Sequence, residues 1–375
     1  MDLNQRGRIL ILTAGFGEGH NAAARNLAAA LTVRGVEVRV EDVFALAYGP
    51  ANSVAQEGYK MVINRLPGVW QWAFAALDRS SVVSGGIGIF GRAGRKLTEL
   101  IQTWKPTAVV TTYPGYNHLL DFLVRRGKLQ RSQPTFTVVT DSITINSVWY
   151  RCHSDWFLLT NEQTESVMVN AGVPKEKLKV TGFPVPEFFA RQADQKSPPS
   201  EGERWRVLYM INSGRQFAPE ICRRLLALPE IELTVTAGRD AALKKRLERE
   251  FVGLDRRVKV LGWEPEIPSI MARSHVLISK AGGATVQEAL AAATPMIVTQ
   301  VVPGQEEGNA MLIEQTGAGC LALTPAAIEA AVRQMVTDGG RQWESWYQAA
   351  RQTGRPNASV VAADSIAEVC GVQAL

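Results

Sequence analysis

A histidine, an aspartate and a glycine-led helix bearing a glutamate are the groups in this 375-residue chain best suited to chemistry. His20 closes a glycine loop, Gly15-Phe-Gly-Glu-Gly19, and starts a helical pattern. A neutral imidazole at such a place could take the proton of an attacking hydroxyl, because its ordinary pKa suits a general base. The plainer reading is a first-turn helix residue bonded locally. Gly17 and Gly19 read as turn glycines either way. Asp141 ends an apolar run over 136–140, where a carboxylate faces out of a strand end. It is either a base, or the group that orients His20, or a cap on the next segment.

A second set concerns a ligand rather than a proton. Lys280-Ala-Gly-Gly-Ala-Thr-Val-Gln-Glu288 reads as a glycine turn running into a helix. Gly282 and Gly283 let backbone approach a ligand closely, and the amides of that turn, Thr285 included, suit an anionic group at a helix N-terminus. Glu288 can accept hydrogen bonds from two vicinal hydroxyls, as a ribose offers. Val302-Pro-Gly-Gln-Glu-Glu-Gly-Asn309 adds Gln305 and Glu306 on a loop for sugar hydroxyls, with Asn309 as a cap for the helix that follows. Asn212-Ser-Gly-Arg215 places Ser213 and the Gly214 amide for a diphosphate, with Arg215 a charge partner, or is a plain turn. Trp263 in Leu261-Gly-Trp263 borders a base slot or is packing. Together these describe a nucleotide joined to a polyol.

The elements that must carry these groups follow from the apolar runs. Strands are expected at 8–14, 36–40, 108–112, 135–140, 156–160 and 179–182, and again at 206–211, 233–236, 258–261, 276–279 and 296–299. The continuous apolar run at 8–14 is typical of a central parallel strand. Helical spacing at Ala23, Ala24, Leu27, Ala28 and Leu31 makes the start a βαβ unit. Residues 191–204 are polar, with two prolines and a glycine, and read as a linker. The expectation is an α/β chain of two doubly wound, Rossmann-like domains facing across a cleft, 1–190 and 205–353. A terminal helix, 354–375, crosses back onto the first domain after a break at Gly354-Arg-Pro356.

At these motifs the chain resembles the diacylglycerol glucosyltransferase and monogalactosyldiacylglycerol synthase group, and more distantly the peptidoglycan N-acetylglucosaminyltransferase. The likeness spans nearly the whole chain. It rests on Ile11-Leu-Thr-Ala-Gly-Phe-Gly-Glu-Gly-His20, Thr112-Tyr-Pro114, Val139-Thr-Asp141 with Trp149, Val180-Thr-Gly-Phe-Pro-Val185, Lys280-Ala-Gly-Gly283 and Pro303-Gly-Gln-Glu-Glu-Gly-Asn309. The resemblance implies the GT-B fold, a UDP-sugar donor (UDP-glucose or UDP-galactose), inversion at the anomeric carbon and 1,2-diacylglycerol as acceptor. It implies His20 as base, with Asp141 as its partner or substitute, and no catalytic metal, the leaving diphosphate being met by amides and a helix N-terminus. One segment departs from the pattern. Between Asp141 and Trp149 the chain is one residue longer, and Asn146 stands nearest the place where lipid-modifying members carry a histidine.

Composition narrows the partners. Residues 1–194 hold 21 Lys and Arg against 16 Asp and Glu, while the remainder balances at 20 of each, so the net charge of +5 lies wholly in the first part. A basic half fits nucleic acid or an anionic membrane; no nucleic-acid motif accompanies it. Basic residues interleave with aromatics between 48 and 105, where Trp70, Trp72, Arg92, Arg95 and Lys96 form a candidate lipid contact; the alternative is a core helix with solvated charges. The four cysteines form no close pair, and no apolar run approaches the roughly 18 residues of a spanning helix. The expected location is cytoplasmic, peripheral on the inner face of the cell membrane. His118, His153 and His275 are assigned no role. Three other readings remain: a UDP-sugar isomerase or epimerase of the same fold, a non-catalytic UDP-sugar binder, and a dinucleotide enzyme using the first glycine loop and Asp42.

Overall fold

The computed structural model describes residues 7–52, 58, 90–192, 196–304 and 306–371. The chain forms two compact units. The first comprises 1–187, 302–308 and 357–375, and the second 188–301 and 309–356.

The first unit holds a six-stranded parallel sheet in the order β2-β1-β3-β4-β5-β6. Its strands are β1 Arg8–Leu12, β2 Glu37–Glu41, β3 Ala108–Thr111, β4 Thr135–Val138, β5 Trp156–Leu159 and β6 Leu178–Val180. β1, β3, β4 and β5 are apolar and buried along their length, as strands covered on both faces must be. The helix Glu18–Val33 buries Ala23, Ala24, Leu27 and Leu31. The helix Ala358–Cys370 packs beside it, tied by Arg34 to Asp364 at 2.5 Å and by the Ser359 hydroxyl to the Val185 carbonyl at 2.5 Å.

The second unit repeats the plan in the order β12-β11-β10-β7-β8-β9, all parallel. The strands are β7 Trp205–Met210, β8 Ile231–Thr236, β9 Val258–Leu261, β10 Val276–Ser279, β11 Met296–Val298 and β12 Gly319–Leu321. β12 is absent from the sequence expectation because three residues, one a glycine, carry no apolar pattern. Gly319 is required there, since a β-carbon would lie 1.8 Å from the Met296 carbonyl oxygen across the ladder. The break between the helices Arg341–Thr353 and Ala358–Cys370 falls where expected. Its cause is contact, because a side chain on Gly354 would meet the Leu290 carbonyl at 2.1 Å. The polar stretch after 195 lies against the second unit: the Lys196 ammonium donates to the Thr294 hydroxyl and the Ala293 carbonyl, at 2.5 and 3.2 Å. Burial in that site pulls the Lys196 amine well below its ordinary range.

Each sheet has one point where strand order reverses, between β1 and β3 in the first unit and between β7 and β10 in the second. Doubly wound sheets open a crevice beyond the carboxyl ends of the strands at that point. The loops after β1 and β3 carry Gly15–His20 and Thr112–Pro114; those after β7 and β10 carry Asn212–Arg215 and Lys280–Gly283. Topology therefore gathers the sequence candidates at two switch points.

Candidate active site

His20 is the third residue of its helix and is buried. Its Nδ1 lies 2.7 Å from the Thr112 carbonyl oxygen, with the Thr140 hydroxyl 3.1 Å away. A carbonyl only accepts, so Nδ1 carries the proton and Nε2 keeps its lone pair. Burial lowers the imidazole pKa to about 4, against a raising contribution from the Thr112 bond. The ring is thus neutral near pH 7 and in the tautomer that a base acting through Nε2 needs. Tyr113 meets it edge-on, with centroids 5.2 Å apart, and Trp149 lies tilted at 5.9 Å.

Asp141 follows β4 and is half-buried. Its carboxylate accepts the Trp149 indole N–H at 2.8 Å. Burial raises its pKa to about 6; the Trp149 bond lowers it and the Glu306 charge raises it. Among the described contacts, Thr112 and Thr140 orient His20, while Trp149 holds Asp141 and lies between them. Neither orienting threonine was singled out from the sequence. The usable signal was position: Thr112 follows the strand beside the switch point, and Thr140 precedes Asp141.

Two glycine assignments change. Gly17 is the extended residue before the helix, at φ 177, which any residue adopts, and Gly19 lies inside the first helical turn rather than in the loop. The loop is pinned instead by Asp42, which accepts the Gly15 amide at 3.1 Å, the Ala45 amide at 2.9 Å and the Tyr116 hydroxyl at 3.2 Å. A dinucleotide enzyme needs that acid for a ribose, so these bonds argue against that reading. Asn146 is buried and accepts the Val148 amide at 2.9 Å as the cap of a short 3₁₀ turn, Ser147–Trp149. The segment after Asp141 is strained: Ile143 sits at φ 57, a conformation that costs a β-branched residue on the order of 1–3 kcal/mol.

The 302–308 loop packs within the first unit. Glu306 is buried, and its carboxylate accepts the Val302 amide at 3.1 Å. Gln305, Trp70 and Trp72 lie outside the described residues. Arg92, Arg95 and Lys96 are exposed on one face of the helix Phe90–Trp104, whose other face buries Ala93, Leu97, Leu100 and Ile101. Lys96 pairs with Glu99 at 3.0 Å. Among the described residues no helix is long and apolar enough to cross a membrane.

In the second unit the candidate groups are mostly backbone. Gly282 is the extended residue before the helix Gly283–Ala291 and offers no side-chain cap. The first intrahelical bond runs from the Val286 amide to the Gly282 carbonyl, so the amides of Gly283, Ala284 and Thr285 precede the helical ladder. Glu288 follows within the same helix. On the facing strand end, Asn212 donates to the Ser279 hydroxyl at 3.2 Å, and Gly214 takes the left-handed φ of 66 that turns the chain. Arg215 pairs with Asp240 at 2.8 Å. Trp263 is 60% exposed, which removes the packing alternative, and the Arg239 guanidinium lies 4.4 Å from its ring. Asn309 lies inside the helix Glu307–Thr316 rather than capping it. It is buried and donates to the Ala281 carbonyl at 3.1 Å, bracing the Gly282 turn.

Residues 20–185 match the family described as monogalactosyldiacylglycerol (MGDG) synthase, and residues 210–338 match glycosyl transferases group 1. The chain is a GT-B glycosyltransferase. It is 25% identical over 341 residues to the processive diacylglycerol beta-glucosyltransferase of Bacillus mycoides, covering 88% of this chain and 86% of that one. The MurG structure of Acinetobacter baumannii superposes with a TM-score of 0.64 at 13% identity, over 96% of this chain and 99% of that one. The UDP-GlcNAc 2-epimerase from Neisseria meningitidis, bound to UDP-GlcNAc, gives 0.61 at 14% identity, over 96% and 100%. The solved structures share the transferase's fold; the curated relative bears out the resemblance read from the motifs.

Proposed function

We propose that this glycosyltransferase moves glucose or galactose from UDP to a lipid hydroxyl, most simply that of 1,2-diacylglycerol, with inversion. The observation that carries the reading is His20, a neutral imidazole whose Nδ1 is committed to Thr112 and whose Nε2 retains its lone pair. In this scheme Nε2 takes the acceptor O–H proton as the oxygen bonds to the anomeric carbon. The bond from that carbon to the phosphate oxygen breaks in the same displacement, and UDP leaves with the electron pair. One displacement inverts the carbon. The amides of Gly283, Ala284 and Thr285 meet the diphosphate, Ser213 and Gly214 flank it, Glu288 holds the ribose and Trp263 borders the base. Gln305 and Glu306 are assigned to the sugar. Glu306 is folded onto its own loop, so that assignment requires its carboxylate to turn outward.

The diacylglycerol specificity of the Bacillus mycoides relative supports the lipid acceptor, and the Arg92, Arg95 and Lys96 face supports action at an anionic membrane surface on the cytoplasmic side. Charge on the leaving group is met by amides and a helix N-terminus, so the reading asks for no metal. Labelled UDP-glucose or UDP-galactose incubated with diacylglycerol vesicles and excess chelator tests all of this. Labelled glycolipid is the expected product. UDP binding without labelled lipid from either donor would remove the acceptor assignment. An epimerised donor formed without acceptor would replace transfer by isomerisation.

A further inference from the structure

The chain between Asp141 and Trp149 is held from outside. Ile143 is forced to φ 57, its amide donating to the Thr164 hydroxyl at 3.0 Å and its carbonyl accepting from Ile145 at 3.1 Å. Gly308 presses on this same segment. A β-carbon there would lie 1.8 Å from the Ser142 carbonyl oxygen, 2.6 Å from the Thr144 amide nitrogen and 2.8 Å from the Thr144 hydroxyl. Two of those three atoms are backbone and cannot rotate away. Gly308 is helical, so glycine stands there for space and not for an unusual φ. The seat is tight enough that the Thr144 hydroxyl is buried without a hydrogen-bond partner. Two residues before Gly308, the Glu306 charge acts on Asp141.

We propose that residues 306–308 form a clasp that positions Asp141. Gly308 seats on the Ser142–Thr144 backbone, keeps Ile143 in its left-handed conformation and thereby fixes the carboxylate one residue upstream. The inference rests on the reading of Asp141 as a participant in proton transfer. It deepens that reading, because the clasp belongs to the loop whose Gln305 and Glu306 are assigned to the donor sugar. Seating the sugar and setting the acid then become one event. The titratable group acting on Asp141 is Glu306, and the Trp149 indole N–H supplies its hydrogen bond.

The test is kcat against pH for the full chain, with UDP affinity measured by calorimetry. Gly308→Ala should lower kcat by about 10²-fold, the cost of a misplacement near 1 Å, while UDP affinity stays unchanged. It should also move the acid limb to lower pH, because withdrawal of the Glu306 charge and admission of water to the carboxyl both lower the Asp141 pKa; Glu306→Gln, which leaves Gly308 seated, isolates the charge. Ile143→Gly should keep both kcat and limb, because glycine takes a positive φ freely. Wild-type kcat and limb in Gly308→Ala would overturn the clasp. So would loss of kcat in a UDP-binding Ile143→Gly, which would make the isoleucine side chain the positioning group. If Gly308→Ala does not fold, Glu306→Gln carries the test: the limb should move down, and an unmoved limb overturns the proposal. Asp141→Asn separates the two claims. Full activity there removes the role of Asp141 itself, whereas an inactive Asp141→Asn beside a normal Gly308→Ala sinks only the clasp.

Discussion

The switch points of the two sheets have the same topology and different chemistry. In the first unit the crevice is furnished with titratable side chains, the buried His20 and the half-buried Asp141, both shifted, the imidazole down to about 4 and the carboxyl up to about 6. In the second it is furnished with backbone: Gly214, Gly282 and the first amides of the helix Gly283–Ala291. Moving a proton needs groups whose ionisation is tuned by burial and by neighbours. Receiving a diphosphate needs fixed dipoles that do not titrate. One architecture thus serves two tasks through what each strand end presents.

The largest test of this division is His20→Ala. Turnover should fall by roughly 10²–10⁴-fold, the usual scale of general-base catalysis, while calorimetric UDP affinity stays unchanged. A parallel loss of UDP binding would mean that the two crevices do not divide the work. Retained turnover would pass the base to Asp141.

The next test uses pH. Asp141 is taken to act ionised and His20 neutral. As pH falls, Asp141 gains its proton first, near 6, and His20 only near 4, so kcat should decline on a limb close to pH 6. Stopped assays across that range measure it, and Asp141→Asn should abolish this limb. A limb that persists in the mutant assigns the titration elsewhere.

Glu288→Ala probes the second crevice. UDP binding should weaken by roughly 1–3 kcal/mol, the scale of a charge-assisted hydrogen bond, with the pH limb unmoved. Unchanged affinity in a folded mutant would take Glu288 out of the site.

The smallest effect per residue concerns charge, on which the two parts of the chain also differ. Each basic residue near an anionic bilayer contributes about 1 kcal/mol, so replacing Arg92, Arg95 and Lys96 by Ser should reduce sedimentation with anionic vesicles, more at low salt than at high salt. Lys96 should matter least, because Glu99 already pairs with it. Equal sedimentation of the unmutated protein with neutral and anionic vesicles would make the exposed face of Phe90–Trp104 a solvated surface only.

Much of this was written in the sequence, for local reasons. Apolar or alternating runs made eleven strands legible, from the buried β1, β3, β4 and β5 to the largely exposed β2; β12 was not, because three residues hold no pattern. The glycine turn into Gly283–Ala291 was legible because it is a contiguous motif. What the sequence could not state is how distant segments set a side chain's chemistry. Thr112 lies 92 residues from His20, yet its carbonyl decides the tautomer. Burial, a property of the whole fold, moves both pKa values. Asn309 looked like a cap and is a brace on the Ala281 carbonyl, and Asp42 looked like a ribose ligand and is a pin for the Gly15 loop. Gly308 is an unremarked residue of the Val302–Asn309 motif in sequence; only its approach to the Ser142 carbonyl shows why a side chain does not fit there. The local order of residue types determined elements, switch points and the repertoire of groups. Tertiary contact decided which of those groups are ionised, oriented and held.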